Sequence, residues 1–177
     1  MDEPPAPLQG VPEEEGIPID DPAKRSDDIP RLTYRFAGAS DLPLLAAWNH
    51  RLIRDEGHRN TMSVEQLRDR MADWLKHDYR AVLFENEDAP VAYALYLEQE
   101  GEVYLRQFYV REENRRQGIG RQAMRLLREK IWPAGKRLTV EVLSANKRAV
   151  SFWRATGYSD YSIKLEIVPE TLGIRLS

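Results

Sequence analysis

Two glycines one residue apart, Gly118 and Gly120, sit where a strand-like pattern gives way to a helical one. Glu102 to Val110 alternates apolar and polar residues, and in Arg121 to Ile131 the side chains of Ala123, Met124, Leu127 and Ile131 fall on one helical face. The loop Arg115-Arg116-Gln117-Gly118-Ile119-Gly120-Arg121 therefore joins a strand to the N-terminus of a helix. Unpaired backbone N–H groups and the positive end of the helix dipole meet there, and together they can hold a phosphate. Glycine lets the backbone approach an anion with no Cβ in the way. Arg115, Arg116 and Arg121 add positive charge, so the loop is expected to cradle a pyrophosphate.

The elements around the loop fix the rest of the plan. Leu32 to Ala37 alternates as a first strand; Ser40-Asp41 offers an N-cap, and Leu42, Leu45, Trp48 and Leu52 form a helical stripe ending near Asp55-Glu56-Gly57. Ser63-Val64-Glu65-Gln66 is a capping box opening a second helix with Leu67, Met71, Trp74 and Leu75 on one face. Strands are expected at Tyr79 to Glu85, Val91 to Glu98 and Glu102 to Val110, joined by connections short enough to demand antiparallel hairpins. After the glycine loop and its helix come a strand at Leu138 to Leu143, a helix at Lys147 to Ala155 and a last strand at Tyr161 to Val168. A right-handed crossover makes the strands on either side of the loop's helix parallel, so the sheet is mixed.

Composition narrows the chemistry. With no cysteine among 177 residues, disulfides, thiolate-bound zinc and thiol nucleophiles are excluded, and three scattered histidines (His50, His58, His77) give no zinc site; no metal is expected. No apolar run reaches the ~20 residues a spanning helix needs, and the acidic N-terminus is unlike a signal peptide, so no membrane partner and a cytoplasmic location are expected. Residues 1–30 hold seven of the eleven prolines, nine acidic and two basic residues, and are expected to be a disordered acidic tail on a domain spanning 31–177. The remainder carries 24 basic and 20 acidic residues, too mild a balance for a nucleic-acid surface but suited to a polyanionic small molecule.

Gly118-Ile119-Gly120-Arg121-Gln122-Ala123 also fits the dinucleotide pattern G-x-G-x-x-A, with Glu141 about twenty residues on. A dinucleotide fold puts its first glycine almost directly after the strand, whereas seven polar residues, Arg111 to Gln117, intervene here. A plain glycine turn is the other alternative. The loop does not stand alone, however: after the next strand comes Asn146-Lys147-Arg148-Ala149-Val150-Ser151-Phe152-Trp153-Arg154-Ala155-Thr156-Gly157-Tyr158.

The pair R-x-x-G-x-G and N-x-x-A-x-x-F-[aromatic]-x-x-x-G-[aromatic], in this order, resembles the GNAT superfamily of acyl-CoA-dependent N-acetyltransferases. The resemblance implies an α/β (α+β) fold. Its central sheet would be mixed and mostly antiparallel, with a parallel strand pair splayed at the cofactor cleft and about four flanking helices. It implies acetyl-CoA as acyl donor, its pyrophosphate on the backbone of Gln117, Gly118, Ile119, Gly120 and Arg121, with Arg115 and Arg116 at the edge. The pantetheine arm would line the backbone of Phe108, Tyr109 and Val110, one of whose N–H groups would stabilise the oxyanion; Asn146, Ala149, Phe152 and Trp153 would sit beside it. The acceptor implied is a small-molecule or peptide amine, and a homodimer is compatible.

Family members often place a tyrosine general acid where this chain has Trp153, whose indole N–H is too weak an acid; Tyr158, Tyr109, Tyr104 or water could serve instead. For the base, Glu56 leads and His58 follows, both between the first two helices, which in this family border the acceptor. Arg106 and Gln107 are further candidates, and alternation puts only one of them in the cleft unless a bulge intervenes. The tryptophan also leaves open a non-catalytic acyl-CoA sensor with the acidic tail as a contact arm.

Overall fold

The structure, a computed structural model, describes residues 31–167. Five strands form one sheet in the order β1-β2-β3-β4-β5. They are β1 (Thr33–Phe36), β2 (Tyr79–Asn86), β3 (Ala89–Glu98), β4 (Glu102–Val110) and β5 (Arg137–Val140). Neighbours are antiparallel except β4 and β5, which are parallel. Helices α1 (Leu42–Glu56) and α2 (Val64–Lys76) lie between β1 and β2, α3 (Ile119–Leu126) between β4 and β5, and α4 (Lys147–Ala155) after β5. The mixed, mostly antiparallel sheet with its parallel pair and four α-helices is the architecture expected.

Local chemistry explains the boundaries. Gly57 ends α1 in the left-handed conformation at φ +69°, and its N–H reaches back to the carbonyls of Arg54 and Ile53. Ser63 and Gln66 close the expected capping box on α2. Ser40 and Asp41 act differently from the expected simple cap: they belong to a short 3-10 turn. Asp41 takes both Arg35 guanidinium N–H donors at 2.8 Å, together with the Gly38 N–H, clamping β1 to α1. The Arg35 guanidinium holds the Asp41 carboxyl below the usual carboxylate range despite its burial.

The sheet is covered on both faces. On one, Val82, Ala94, Val103 and Leu105 meet Ile119, Met124 and Leu127 of α3 and its continuation, and Trp153 of α4. On the other, Leu83, Tyr93, Leu95 and Tyr109 meet Leu45, Trp48 and Leu52 of α1 and Met71 of α2. Helix α3 runs on through a π-helical turn, Leu127–Ile131, before the chain enters β5.

Two expectations are corrected. The strand expected at Leu138 to Leu143 is Arg137–Val140, because its only partner in the sheet, β4, stops pairing with it at Leu105. The strand expected at Tyr161 to Val168 is absent over 161–167, and Val168 lies outside the described residues. Alternation supplies a pattern but not a partner: Tyr161, Ile163, Leu165 and Ile167 are all exposed. The acidic segment 1–30 also lies outside the described residues. Among the described residues no helix is long and apolar enough to cross a membrane.

Candidate active site

A single irregularity in β4 builds the cleft. Leu95 pairs with Gln107 but Tyr96 pairs with Leu105, so Arg106 is an extra residue in the β4 ladder, a β-bulge. Pairing between β4 and β5 ends at Leu105–Val140, one residue before the bulge, and the parallel strands part beyond it. The N–H of Arg111 donates to the Val91 carbonyl at 2.9 Å, which fixes the alternation of the ladder. Main-chain groups of Gln107, Tyr109 and Arg111 face β3, and those of Phe108 and Val110 face the opening. Val110's carbonyl there accepts a hydrogen bond from Arg115 Nε at 2.8 Å. The Phe108 N–H is left directed at the gap.

At the mouth of the gap stands the N-terminus of α3. Arg116 at φ +66° and Gly118 at φ +80° are both left-handed, turning the chain so that the first amides of α3 face outward from the loop. Of the three flanking arginines, Arg115 is spoken for: it bonds Val110, pairs with Asp55 of α1 and lies 5.3 Å from the centre of the Tyr109 ring. Arg116 and Arg121 are exposed and, among the described residues, engage no acid. Gln117 is exposed and donates its amide to the Glu113 carbonyl at 2.9 Å.

Gly120 has a second reason to be glycine. A Cβ there would stand 3.1 Å from Phe152 Cε2 and 3.7 Å from Phe108 Cε1, so its missing side chain makes room for the aromatic layer beneath. That layer stacks Phe152 on Phe108 at 5.8 Å and 13°, and packs Trp153 against both. Asn146 caps α4 through its carbonyl oxygen, accepting from the Ala149 N–H at 3.1 Å, which leaves its amide N–H donors for another partner. Ala149 is partly buried against the same core.

The other sheet face carries the polar groups. Because of the bulge, Arg106 and Gln107 both point to it: Arg106 lies over the Trp74 and Tyr79 rings, and Gln107 bonds α1. The Gln107 amide accepts from the fully buried Tyr93 hydroxyl at 3.0 Å and donates to Asn49 Oδ1 at 2.9 Å. Asn49, two helical turns before Glu56, is itself buried, and its Nδ2 has no partner. Burial pushes the Glu56 carboxyl up to about 7, with the Asp55 carboxylate adding to the rise. Glu56 and Arg70 both act on the proton of the Tyr93 hydroxyl, in opposite senses, so all three groups share one region.

The remaining candidates sit elsewhere. His58 is exposed just beyond α1, its Nδ1 accepting from the Asn60 N–H at 3.0 Å. Tyr158 packs on Trp153 and under the Arg128 guanidinium, at the end of α3 opposite the glycine loop, and its buried hydroxyl has no partner. Burial raises its phenol, with Arg128 opposing. Asn49, Tyr93 and Arg70 are not singled out by sequence reasoning. Only Asn49 carries a signal there, as an amide inside the Leu45–Trp48–Leu52 stripe.

A sequence model described as the acetyltransferase (GNAT) family matches residues 45–158. No curated protein sequence matches the chain significantly. Several solved structures share its fold. An acetyltransferase from Thermus thermophilus is 24% identical with a TM-score of 0.60, the match covering 75% of this chain and 89% of that one. A predicted acetyltransferase from Clostridium acetobutylicum, solved with acetyl-CoA, is 16% identical with a TM-score of 0.60, covering 81% and 100%. The aminoglycoside N-acetyltransferase AAC(6')-Iy, solved with CoA, is 10% identical with a TM-score of 0.62, covering 78% and 95%.

Proposed function

The chain belongs to the acetyltransferase (GNAT) family, and on that premise we propose that it moves an acetyl group from acetyl-CoA to a primary amine of a small molecule, in the cytoplasm, with 31–177 as the catalytic domain. The observation that carries this reading is the β4 edge beyond the bulge, which pairs with no strand at Phe108 and Val110 among the described residues and faces the amino end of α3. Acetyl-CoA is a substrate here and supplies the activated thioester. The amides of Gln117 to Arg121 with the side chains of Arg116 and Arg121 would take its pyrophosphate, and Phe108, Tyr109, Val110 and the Asn146 amide would line its arm. Ala149, Phe152 and Trp153 would support that lining from beneath, and Arg115 would hold the loop against β4 and α1.

In the reaction the amine nitrogen attacks the thioester carbonyl carbon, and the Phe108 N–H would steady the oxyanion that forms. Removing such a donor costs ~2.7–4 kcal/mol where it has been measured. Glu56 accepts the amine proton, and a carboxyl at about 7 is well matched to that task near neutral pH. The C–S bond then breaks and the thiolate leaves, taking its proton from water. Trp153 is buried in the aromatic layer and Tyr158 packs against it at the far end of α3, so neither is assigned as the acid.

Acceptors of the aminoglycoside type, as named for AAC(6')-Iy, are polycations. Arg70 and Arg106 on the acceptor face argue against them here. Incubation of the full chain with acetyl-CoA and a panel of small amines should release free CoA thiol at a rate that saturates with amine. Saturable acetyl-CoA binding with no CoA released from any amine would replace the transferase reading with that of a binding module.

A further inference from the structure

Two guanidinium groups on the acceptor face pack on one aromatic ring, with no acid paired to either among the described residues. Arg70 of α2 lies 4.6 Å and Arg106 of the β4 bulge 4.5 Å from the centre of one ring, that of Trp74. Among the described residues, Arg70 donates to the Met62 sulfur at 3.3 Å, and its buried Nε has no partner. Neither arginine has a carboxylate within ion-pair distance among the described residues. Of the nearby acids, Asp69 pairs with Arg68, Asp73 with His77 and Glu166 with Arg59, and Glu141 accepts from the Tyr104 hydroxyl. Burial and the Arg106 charge both depress the Arg70 pKa, so the pair is electrostatically unfavourable as it stands.

Aromatic faces ease this repulsion but do not neutralise it. The bulge adds Gln107 to the face that Arg106 already occupies by alternation from Leu105, so the arginine and the Tyr93–Gln107–Asn49 chain lie on one side of the sheet. Within the same region Glu56 is a carboxyl with no hydrogen-bond or ion-pair partner among the described residues, and it shares with Arg70 an influence on the Tyr93 hydroxyl. The region therefore offers a proton acceptor at one end and a doubled positive charge at the other.

We propose that Arg70 and Arg106 form a carboxylate subsite, so that the acceptor is a small amine carrying a carboxylate, an amino-acid-like zwitterion with its amine toward Glu56 and its carboxylate against the guanidinium pair. This rests on the transferase reading for the meaning of Glu56, but the anion subsite is testable without it. Each guanidinium presents a planar fork of N–H donors of the kind that binds a carboxylate, and Trp74 is the ring that both pack on.

The first experiment compares free α-amino acids with their carboxamides as acceptors, by CoA release from acetyl-CoA. Wild type should favour the acids by about tenfold or more in kcat/KM, and Arg106→Gln and Arg70→Gln should each collapse that ratio toward parity while the KM for acetyl-CoA stays put. Equal use of acids and amides by wild type would overturn the subsite. So would a raised KM for acetyl-CoA in the variants, which would assign the pair to the donor. Should no amine be acetylated, the transferase reading fails by itself, and calorimetric titration of the CoA-loaded protein with N-acetylglycine against N-acetylglycinamide decides the subsite. Saturable binding of the acid alone, lost in Arg106→Gln, upholds it; indifference to the carboxylate sinks it.

Discussion

Gln107 donates its side-chain amide to Asn49 at 2.9 Å, joining β4 to α1 across 58 positions of sequence. The bond falls on the first residue after the bulge, where the strand turns away from β5. On its other side Gln107 accepts the buried Tyr93 hydroxyl. One amide thus fixes the position of the strand whose next residue, Phe108, offers its N–H to the cleft.

Replacing Gln107 by leucine should therefore cost both stability and activity. The substitution strands the Tyr93 hydroxyl and the Asn49 carbonyl in a dry interior, and such groups cost roughly 1–3 kcal/mol each when left unpaired. Urea denaturation should show a lower midpoint, and acetyl transfer should fall with acetyl-CoA binding retained. A variant as stable as wild type would show that water reaches these groups.

Glu56 makes the pH profile diagnostic. A general base works deprotonated, so kcat/KM should climb with pH and level off above about 7, the position burial gives this carboxyl. Glu56→Gln should lose most of the activity and, in what remains, the rising limb near 7. A profile in glutamine that still bends at the same pH would move the proton to another group.

The same carboxyl works against the fold. Its folded pKa is raised above its unfolded value, so stability is greatest below the unfolded pKa, near ~4.3, and declines as pH rises toward about 7. Glutamine has no charge to bury. Relative to wild type, Glu56→Gln should gain thermal stability at pH 8 and gain little at pH 5. An equal shift at both pH values would show that the carboxyl titrates normally.

Which parts of this were visible in the sequence follows from what kind of interaction made them. The Ser63–Gln66 box, the Gly57 stop and the strand–loop–helix at Gly118 are local, and local rules place them. The Arg106 bulge is not local: the adjacent polar pair Arg106-Gln107 leaves room for one, but only the register against Leu95 and Tyr96 fixes it. The approach of Arg70 and Arg106 to the one Trp74 ring joins α2 to β4 and so was equally hidden. Arg115 was legible as a cation at the loop but not as the tie to Asp55 it makes. At Tyr161 to Ile167 the opposite holds: the alternation is present, but the segment lies against neither sheet edge as a strand and its apolar side chains are exposed.

Gly120 separates two explanations of the glycine loop. If the residue is glycine only so that an anion can approach, Gly120→Ala should weaken acetyl-CoA binding and leave the melting temperature alone. The structure points instead to the interior: the new Cβ would sit 3.1 Å and 3.3 Å from two carbons of the Phe152 ring. That ring is stacked on Phe108 and edged by Trp153, so it has little freedom to withdraw. Overpacking of this kind costs typically ~1–3 kcal/mol. Phe152→Leu removes the atoms that collide, so the double variant should be more stable than the two single losses added together. Strict additivity in that cycle, with lost acetyl-CoA affinity in Gly120→Ala, would return the glycine to the anion. The charge contribution is then measured apart, by Arg116→Gln and Arg121→Gln. Both are on exposed side chains and should raise the KM for acetyl-CoA with the melting temperature nearly unchanged, more so at low salt than at high.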